Sequence, residues 1–412
     1  MKTIYFTLLT LLGIFNLYSQ TSNLKPEWKK LSLNSSSDKT WQVLNTSDFG
    51  MLLTSNIGEI IKIDADGKKE WEKKFTSTSE NILSVERFKR KGELTDKFLF
   101  VSLNSEEKNQ IKLIRLNHLG DIEWEKKCLD IRIQSPMVIK HTADNGYILA
   151  AKALFNNGVE SNVLIHKFNS EGDVQWKKDA GKMTELIDIV QKNNQEYFLI
   201  GNISEDNIVF KTIIKNLSIS GEKTSEYIYD CKTVDVEKNN SGSVTLIGHG
   251  ETTVAKDTHF MISEINAKGE IKKQQSYILN DKVKGLPLPP PHVENVNNSN
   301  PPHKLVSTSD NGYLVVGNPN YAERKNDSVL VVKISNKGEI EWDERHQFAQ
   351  GNYQFYNILK SADGGYMIAG NSTINSNQEI VLLNLKPAKP IQNPKKVEKP
   401  ALKPNQNQMI SK

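Results

Sequence analysis

Short apolar runs alternate with polar turns along most of this chain, and the same order of runs recurs. One recurring unit has two apolar strands joined by a turn that contains Asp-Asn-Gly or Asp-Gly-Gly. Its clearest copies are HTADNGYILAA (141–151), STSDNGYLVVG (307–317) and KSADGGYMIAG (360–370). Asn and Gly tolerate the positive φ that a tight β-hairpin requires. These segments therefore predict antiparallel strand pairs.

A second recurring element follows each pair. It has a strand that is apolar on both faces, a turn that ends in glycine, and an alternating strand of the form G-x-I-x-W. The shared glycines lie 53, 52, 49, 48 and 69 residues apart along the chain, at Gly67, Gly120, Gly172, Gly221, Gly269 and Gly338. Four strands repeated about every 50 residues are typical of a β-propeller, so we expect an all-β fold of this class.

The two ends of the repeat region complement each other. The seventh repeat, from about residue 353 to 385, has only three strands, whereas LKPEWKKLSL (24–33) resembles the missing outer strand. We therefore expect seven four-stranded blades, the last of them closed by the N-terminal strand, which leaves no open sheet edge between the first and last blades. An eight-bladed ring and an open stack are the alternatives.

The repeated charged and aromatic positions have a structural interpretation. We expect the outer-strand tryptophans to pack between neighbouring blades, namely Trp28, Trp71, Trp124, Trp176 and Trp342. A shared register also predicts cross-strand pairs on the last hairpin of each blade. These pairs are Lys62 with Glu70, Arg115 with Glu123, Lys167 with Gln175 and Lys333 with Glu341.

The termini differ from the repeats. Residues 1–20 have one positive residue, Lys2, and then an apolar run from about 4 to 17, so they predict a secretory signal peptide. An uncleaved N-terminal anchor is the alternative. The propeller would occupy 21–385. Residues 386–412 hold seven Lys, five Pro and one Glu, and we expect this tail to be disordered.

The charge distribution bears on the class of partner that the chain binds. The chain carries a formal net charge of +4, but without the tail and Lys2 the rest has a net charge of −3. This distribution does not favour a nucleic-acid partner. No second long apolar run follows the N-terminal one, so we expect a chain that does not span the membrane after signal cleavage.

The repeats resemble those of secreted β-propeller proteins from Bacteroidetes-type bacteria, which combine D-G-G-Y hairpins with G-x-I-x-W strands. The segment IDADGKKEW (63–71) is also similar to the quinoprotein-like propeller repeat. The resemblance implies an exported propeller. Catalytic quinoproteins use pyrroloquinoline quinone, calcium and an adjacent Cys pair. Cys128 and Cys231 are far apart, so we expect no cofactor and two unpaired thiols.

No motif in the chain predicts catalytic or metal-binding residues. The eight histidines lack ligand spacing, and neither a nucleophile elbow, a phosphate loop nor a dinucleotide fingerprint occurs. Asp64, Asp66 and Gly67 lack the rest of a calcium loop and predict a polar turn. His166 lies in an apolar strand, where a core histidine with satisfied hydrogen bonds is expected.

The most individual segment is GLPLPPPHVENVNNSNPPH (285–303), which holds six of the 14 prolines. Insertions in repeat folds map to one face, often the binding face. A stiff polyproline stretch could dock into an aromatic groove of a partner. The candidate partner-binding residues are Leu286, Pro287, Leu288, Pro289, Pro290, Pro291 and His292. A solvated loop without a partner is the alternative.

These observations favour a secreted or periplasmic, non-catalytic propeller that serves as a protein-binding scaffold at the cell envelope. The cationic tail could contact anionic polysaccharides. One alternative is a carbohydrate-binding propeller in which Tyr321, Tyr353 and Tyr356 stack on sugars. The other is a hydrolase or lyase with acids or histidines at the ring mouth. A lectin predicts clustered exposed aromatics, an enzyme predicts converging acids with shifted pKa values, and a scaffold predicts an apolar rim on one face.

Overall fold

The described part of the chain consists of β-strands arranged in seven antiparallel sheets. The computed structural model describes residues 24–27, 33–35, 41–65, 67–74, 80–90, 92–104, 110–129, 133–155, 160–205, 209–239, 242–250, 258–279, 304–317, 328–347, 352–361, 364–374 and 377–387. The first strand of each sheet contacts the first strands of both neighbours, and the seventh contacts the first. The structure is therefore a seven-bladed β-propeller, and the alternatives of eight blades or an open stack are wrong.

The first three blades follow the chain without interruption. Blade 1 comprises β3 (Trp41–Asn45), β4 (Met51–Ser55), β5 (Glu59–Ile63) and β6 (Lys69–Lys74). Blade 2 comprises β7 (Glu80–Phe88), β8 (Lys97–Asn104), β9 (Gln110–Leu116) and β10 (Ile122–Leu129). Blade 3 comprises β11 (Ile133–His141), β12 (Tyr147–Phe155), β13 (Glu160–Phe168) and β14 (Val174–Lys182).

The next three blades have the same order of strands. Blade 4 comprises β15 (Glu185–Gln191), β16 (Tyr197–Ile203), β17 (Lys211–Leu217) and β18 (Lys223–Tyr229). Blade 5 comprises β19 (Cys231–Lys238), β20 (Val244–Gly250), β21 (Thr258–Ile265) and β22 (Ile271–Leu279). Blade 6 comprises β23 (Lys304–Ser307), β24 (Tyr313–Gly317), β25 (Ser328–Ile334) and β26 (Ile340–Gln347). The four strands of each blade are called a to d, from the channel outwards.

Blade 7 is built from both ends of the chain, as the repeats predicted. It comprises β27 (Asn352–Lys360), β28 (Tyr366–Ile374), β29 (Asn377–Pro387) and the N-terminal β1 (Leu24–Glu27) and β2 (Leu33–Ser35). The two N-terminal strands both pair antiparallel with β29, with Leu24 opposite Pro387 and Leu33 opposite Ile380. The outer edge of β29 is thereby covered at both of its ends.

The hydrophobic core is divided into seven clusters, one at each interface between adjacent blades. Successive residues of one strand enter different clusters. In β4, Met51 and Leu53 pack towards blade 7, whereas Leu52 packs towards blade 2. Both faces of every sheet are therefore buried, which explains why the b and c strands are nearly continuous apolar runs.

The a–b hairpins have the predicted turn chemistry. In blade 3 the amide of Asn145 donates to Thr142 and the amide of Thr142 donates to Gly146, so a five-residue turn closes the hairpin. Asn145 has a φ of 62° and Asn311, at the same position of blade 6, has a φ of 60°. This left-handed conformation follows a type I turn in three-residue hairpin loops, and Asn or Gly adopts it at low cost.

In blades 1, 3 and 6 a buried lysine links the a–b turn to the last hairpin of the blade. Lys333 is fully buried, and its ammonium contacts Asp310 at 2.9 Å, the carbonyl of Ile334 at 3.0 Å and Glu341 at 3.1 Å. Three partners use all three donors of the ammonium group, which compensates for its removal from water. Blades 1 and 3 repeat the arrangement through Lys62 and Lys167, both buried.

The predicted cross-strand pairs are confirmed, although by a different local geometry. Lys62 lies 2.9 Å from Glu70, Arg115 2.6 Å from Glu123, Lys333 3.1 Å from Glu341 and Lys167 3.3 Å from Gln175. The backbone partner of the lysine is however the tryptophan that follows, because a bulge interrupts the register at this position. A bulge adds one residue to the outer strand, so the acid reaches the lysine from the bulged position.

The outer strands also join neighbouring blades, as expected for the tryptophans. The Trp71 ring covers Gly120 of blade 2, where a methyl group would lie 2.9 Å from the ring. Trp124 and Trp176 cover the corresponding glycines of the next blades, and Trp342 packs against the core cluster between blades 6 and 7. The side chain of Trp28 lies outside the described residues. In blade 4, Ser225 occupies the tryptophan position, and Tyr227, two residues further along the strand, covers Gly269.

Gly312, in the a–b turn of blade 6, provides a test of the contacts made by the buried Lys333. A methyl group on Gly312 would lie 2.2 Å from the carbonyl oxygen of Ile334 and 2.6 Å from the Lys333 ammonium. We expect Gly312→Ala to lower the free energy of unfolding by about 2–4 kcal/mol, because the buried cation loses its position. Chemical denaturation measures the change. Gly92→Ala is the control, because its methyl group would meet no atom within 4 Å, so that its loss, on the order of 1 kcal/mol, comes from the positive φ of 90° alone. Equal losses in the two variants would contradict the steric explanation.

Candidate functional site

The two faces of the ring differ in the lengths of their connections. The antiparallel order places the a–b and c–d turns on one face, which we call the short-turn face. The described c–d turns have five residues each, and so do the a–b turns except the eight-residue connection 89–96. The b–c and d–a connections lie on the opposite, loop face, and they range from the single residue Asp230 to the 24 residues 280–303.

The predicted partner-binding segment connects two strand ends that lie on the loop face. It joins β22, which ends at Leu279, to β23, which begins at Lys304. The candidate residues 286–292 themselves lie outside the described residues. The connection 318–327 of blade 6, which contains Tyr321, joins a b strand to a c strand and therefore emerges on the same face. Tyr321 also lies outside the described residues.

The other two predicted sugar-stacking residues lie in β27 of blade 7. Tyr353 is only 4% exposed, belongs to the core cluster between blades 6 and 7, and stacks parallel to Phe355 at 6.3 Å. Its ring faces are therefore occupied by protein, which does not favour a sugar-stacking role. Tyr356 is the bulged residue of β27, and its side chain lies outside the described residues.

Charged side chains on the a strands form a group that the sequence interpretation missed. Lys140 of blade 3 lies 3.4 Å from Asp188 of blade 4. Glu86 of blade 2 accepts a hydrogen bond from the amide of His141 at 3.3 Å. Although these residues lie at the centre of the ring, 36% of the Lys140 side chain reaches solvent. This combination indicates that the side chain lines the central channel.

The pKa values in this group are shifted. Burial raises the pKa of Glu86, and the negative charge of Asp188 adds to this effect. Burial also raises the pKa of Asp188, despite the attraction of Lys140. The pKa of Lys140 is raised, first by Asp188 and further by Glu86, so this lysine stays cationic. Two carboxyl groups thus compete for one ammonium group.

A second pair of a-strand acids lies between blades 5 and 6. Asp235 accepts from the Lys304 ammonium at 2.6 Å and from the amide of Leu305 at 2.9 Å. Glu237 accepts from the amide of Ser307 at 2.6 Å, and burial raises its pKa. Lys304 is the first residue of β23, so its pair with Asp235 lies where the chain returns to the ring after the long insertion.

The a-strand polar groups bridge neighbouring blades. Asn357 donates to the carbonyl of Val43 at 2.6 Å, and Gln42 donates to the carbonyl of Leu83 at 3.2 Å. With the contacts of Glu86, Asp235 and Glu237, they tie inner strands together around the channel. The a-strand acids Glu86, Asp188, Asp235 and Glu237 thus each have a partner in a neighbouring blade. Shifted pKa values alone therefore do not identify an active site here, because such ion-pair networks shift them as well.

Three other predicted residues are placed by the structure. His166 is buried as expected, but neither ring nitrogen has a hydrogen-bond partner among the described residues, so the expectation of satisfied hydrogen bonds was wrong. Burial lowers its pKa to about 4. Cys231 is a free, buried thiol next to Thr212, and burial raises its pKa. The side chain of Cys128 lies outside the described residues.

The Asp64 turn matches its structural interpretation. Asp64 accepts from the amide of Lys68 through its side chain at 2.8 Å and from the amide of Gly67 through its carbonyl at 3.0 Å. Asp66 lies outside the described residues. No group of three or more His, Cys, Asp or Glu residues suited to a metal ion occurs within the described ranges.

Comparison with known proteins found similar solved structures but no matching sequence. No protein-family model and no curated protein sequence matches this chain. Among solved structures, BamB from Moraxella catarrhalis is 14% identical over 86% of this chain and 100% of its own, with a TM-score of 0.40. The C-terminal WD40 domain of Sif2 is 11% identical over 89% of this chain and 91% of its own, with a TM-score of 0.47.

Raptor from Chaetomium thermophilum has the higher TM-score of 0.54, at 8% identity over 90% of this chain and 30% of Raptor. Similarity at this identity extends to the fold alone, and it agrees with the propeller architecture described above. No helix long and apolar enough to cross a bilayer occurs among the described residues. The chain is thus a β-propeller whose two faces differ, and the loop face of blades 5–7 is its candidate functional site.

The competition between Glu86 and Asp188 predicts a pH-dependent stability. A carboxyl group whose pKa is raised by folding stabilises the protein at low pH, and this contribution is lost as the pH rises through the folded-state value. We therefore expect the free energy of unfolding of Glu86→Gln, relative to wild type, to increase as the pH rises above the ordinary pKa of a glutamate, about 4.3. Urea titrations at several pH values measure it.

Glu171→Gln, at an exposed carboxyl group on the c–d turn of blade 3, controls for the change in net charge. The same pH dependence in both variants would contradict a specific role for the channel.

Proposed function

We propose that this protein is a non-catalytic propeller that binds a protein partner through the loop face of blades 5–7. The observation that carries the proposal is the length of one connection. Crossing from the outer strand of blade 4 to the inner strand of blade 5 takes the single residue Asp230, whereas the same crossing from blade 5 to blade 6 uses residues 280–303. Almost all of that segment therefore exceeds what the ring geometry requires.

The two residues that follow this segment are firmly attached to blade 5. The ammonium of Lys304 and the amide of Leu305 both bind the carboxylate of Asp235, which is only 8% exposed. Leu305 itself belongs to the core cluster between blades 5 and 6. A proline-rich segment that begins and ends on a rigid scaffold loses less conformational entropy on binding than a free chain does. Leu286, Leu288 and His292 would then supply the side chains that fill an aromatic groove.

The proposal includes export and domain boundaries. Residues 1–20 would be the signal peptide, 21–385 the propeller and 386–412 a tail. The mature protein would then act in the periplasm or at the outer envelope, where an envelope protein is the expected partner. The resemblance of the repeats to exported Bacteroidetes-type propellers supports this compartment, as does the short apolar N-terminal run.

The two alternative functions receive less support. A lectin needs exposed aromatic rings, and Tyr353 is buried. An active site needs acids that converge on a substrate, whereas Glu86, Asp235 and Glu237 accept hydrogen bonds from the backbone of neighbouring blades. These observations favour binding over catalysis.

A crosslinking pull-down from the envelope of the producing cell tests the proposal. Three baits are compared: the mature protein, a version with 285–303 replaced by a Gly/Ser bridge, and a control with the order of residues 285–303 scrambled at constant length and composition. We expect one protein to be retained by the intact bait only, and the purified partner to bind the bridged form at least tenfold more weakly.

Circular dichroism and the melting temperature establish that the bridged and scrambled baits are folded. Equal capture of one protein by all three baits would move the binding site away from the insertion. Recovery of the same polysaccharide and no protein would exclude the scaffold function and favour the lectin.

A further inference from the structure

The short-turn face has an apolar surface of its own. Most of the exposed large apolar side chains among the described residues lie on or beside its turns: Phe49, Leu94, Leu119, Ile122, Val174, Ile219 and Ile340. Leu94 is the most exposed of them at 83%, and Phe49 is 55% exposed. An apolar rim on one face is what a binding surface requires, whereas isolated exposed residues are ordinary.

Phe49 and Leu94 lie on turns that touch each other. The amide of Ser47, in the a–b turn of blade 1, donates to the carboxylate of Asp96 in blade 2 at 2.5 Å. Ser47 is two positions before Phe49, and Asp96 is two positions after Leu94. We call the part of the short-turn face that carries Phe49 and Leu94 the Phe49–Leu94 patch. Leu119, 54% exposed, lies on the c–d turn of blade 2 on the same face.

The connection that carries Leu94 is ordered by polar contacts. Asp96 is 5% exposed and also pairs with Arg87 at 3.3 Å. At the other end of the connection, Arg90 donates to the carbonyl of Ser170 in blade 3 at 3.3 Å. This is the one described a–b connection longer than five residues. Its extra length presents Leu94 to solvent from a fixed base.

Phe49 is held in a strained backbone conformation. Its φ is 66°, and the residues at the same turn position of blades 3 to 7 are Asn145, Gln195, Gly242, Asn311 and Gly364, of which Asn and Gly tolerate positive φ best. A bulky aromatic residue at positive φ is uncommon and costs stability, and such strain is typical of functional positions. The exposed ring at this turn therefore has no explanation in the hairpin itself.

The chain leaves the ring on this same face. β29 is a c strand that starts at the loop face and ends at Pro387, on the short-turn face, so residues 388–412 begin there. Blade 7 adjoins blade 1 at this level, because Asn45 donates to the carbonyl of Lys360 at 2.9 Å. An extended 25-residue segment spans up to about 78 Å. A blade of four strands is only about 15 Å wide, so the segment reaches blade 2 easily.

We propose that the C-terminal segment 388–412 folds back over the short-turn face and docks on the Phe49–Leu94 patch. The segment has apolar residues at Ile391, Val397 and Leu402, separated by lysines and prolines. An extended proline-rich chain has no internal hydrogen bonds to break and presents such side chains at low entropic cost. The apolar residues cover the patch, and the lysines remain at its polar edge.

One acidic residue beside Phe49 is available to the lysines of the segment. The Asp48 side chain is 51% exposed, although it also contacts Lys62 at 3.1 Å, and the connection that carries Leu94 holds the cations Lys89 and Arg90. Although burial acts in the opposite direction, hydrogen bonds from Thr46 and Lys62 keep the pKa of Asp48 below its usual value. The Asp48 carboxylate is thus charged at neutral pH. Docking on this face leaves the loop face free, so the segment and a protein partner can bind at the same time.

Hydrogen exchange in the full chain and in a form that ends at Pro387 tests the proposal. We expect the amides of 47–50 and 92–95 to exchange at least fivefold faster in the truncated form, and a synthetic 388–412 peptide to restore protection at low salt but not at 1 M salt. The full-length Leu94→Asp variant should lose the protection. Ile219→Asp, at an exposed residue of blade 4 on the same face, is the matched control and should keep it.

Phe49→Asn separates docking from folding. Because Asn adopts positive φ more readily, we expect this variant to melt at a higher temperature than wild type and yet to lose the protection at 92–95. Exchange rates that do not differ between the full and truncated forms would overturn the proposal. Protection that increases with protein concentration would instead assign the patch to a second copy of the chain.

Discussion

The structure depends on the burial of both faces of every sheet. A four-stranded sheet of this kind cannot shield its apolar residues alone, so each blade needs a neighbour on either side. The seven core clusters coincide with the seven interfaces between blades, including the one between blade 7 and blade 1. The pairing of the N-terminal strands with β29 completes blade 7, and through it the last two interfaces. The hydrophobic core is therefore complete only when the ring is closed.

Polar interactions are arranged in layers around this core. Near the channel, side chains such as Asn357 and Glu86 bind the backbone of the next blade. Further out, buried lysines connect the two turns of one blade. In blade 4 the positions of the lysine and its partner are exchanged. Asn216 replaces the strand lysine, and it accepts a hydrogen bond from Lys192 in the a–b turn. Lys192 also pairs with Glu196 at 2.7 Å. The cation has moved from strand to turn, and the link is retained.

The regular turns and the variable loops are separated by the antiparallel order of the blades. Five-residue turns with one residue at positive φ need particular amino acids, which restricts the short-turn face. The b–c and d–a connections carry no such restriction and have accepted a 24-residue segment. Function is accordingly expected where the geometry permits variation. The exception on the short-turn face, the connection 89–96, is held by Asp96 and Arg90 and presents an exposed leucine.

The sequence by itself determined the blade number, the closure by the N-terminal strand, the turn residues and the ion pairs such as Lys333 with Glu341. All of these depend on residues within one repeat or on comparison of repeats, because strand alternation and turn chemistry are local. Only the tertiary structure decided that Tyr353 is buried, that Glu86 and Asp188 compete for Lys140, and that Ser47 binds Asp96. These contacts join different blades, in most cases about 50 residues apart or more, and the distance between two blades is set by packing of the whole ring.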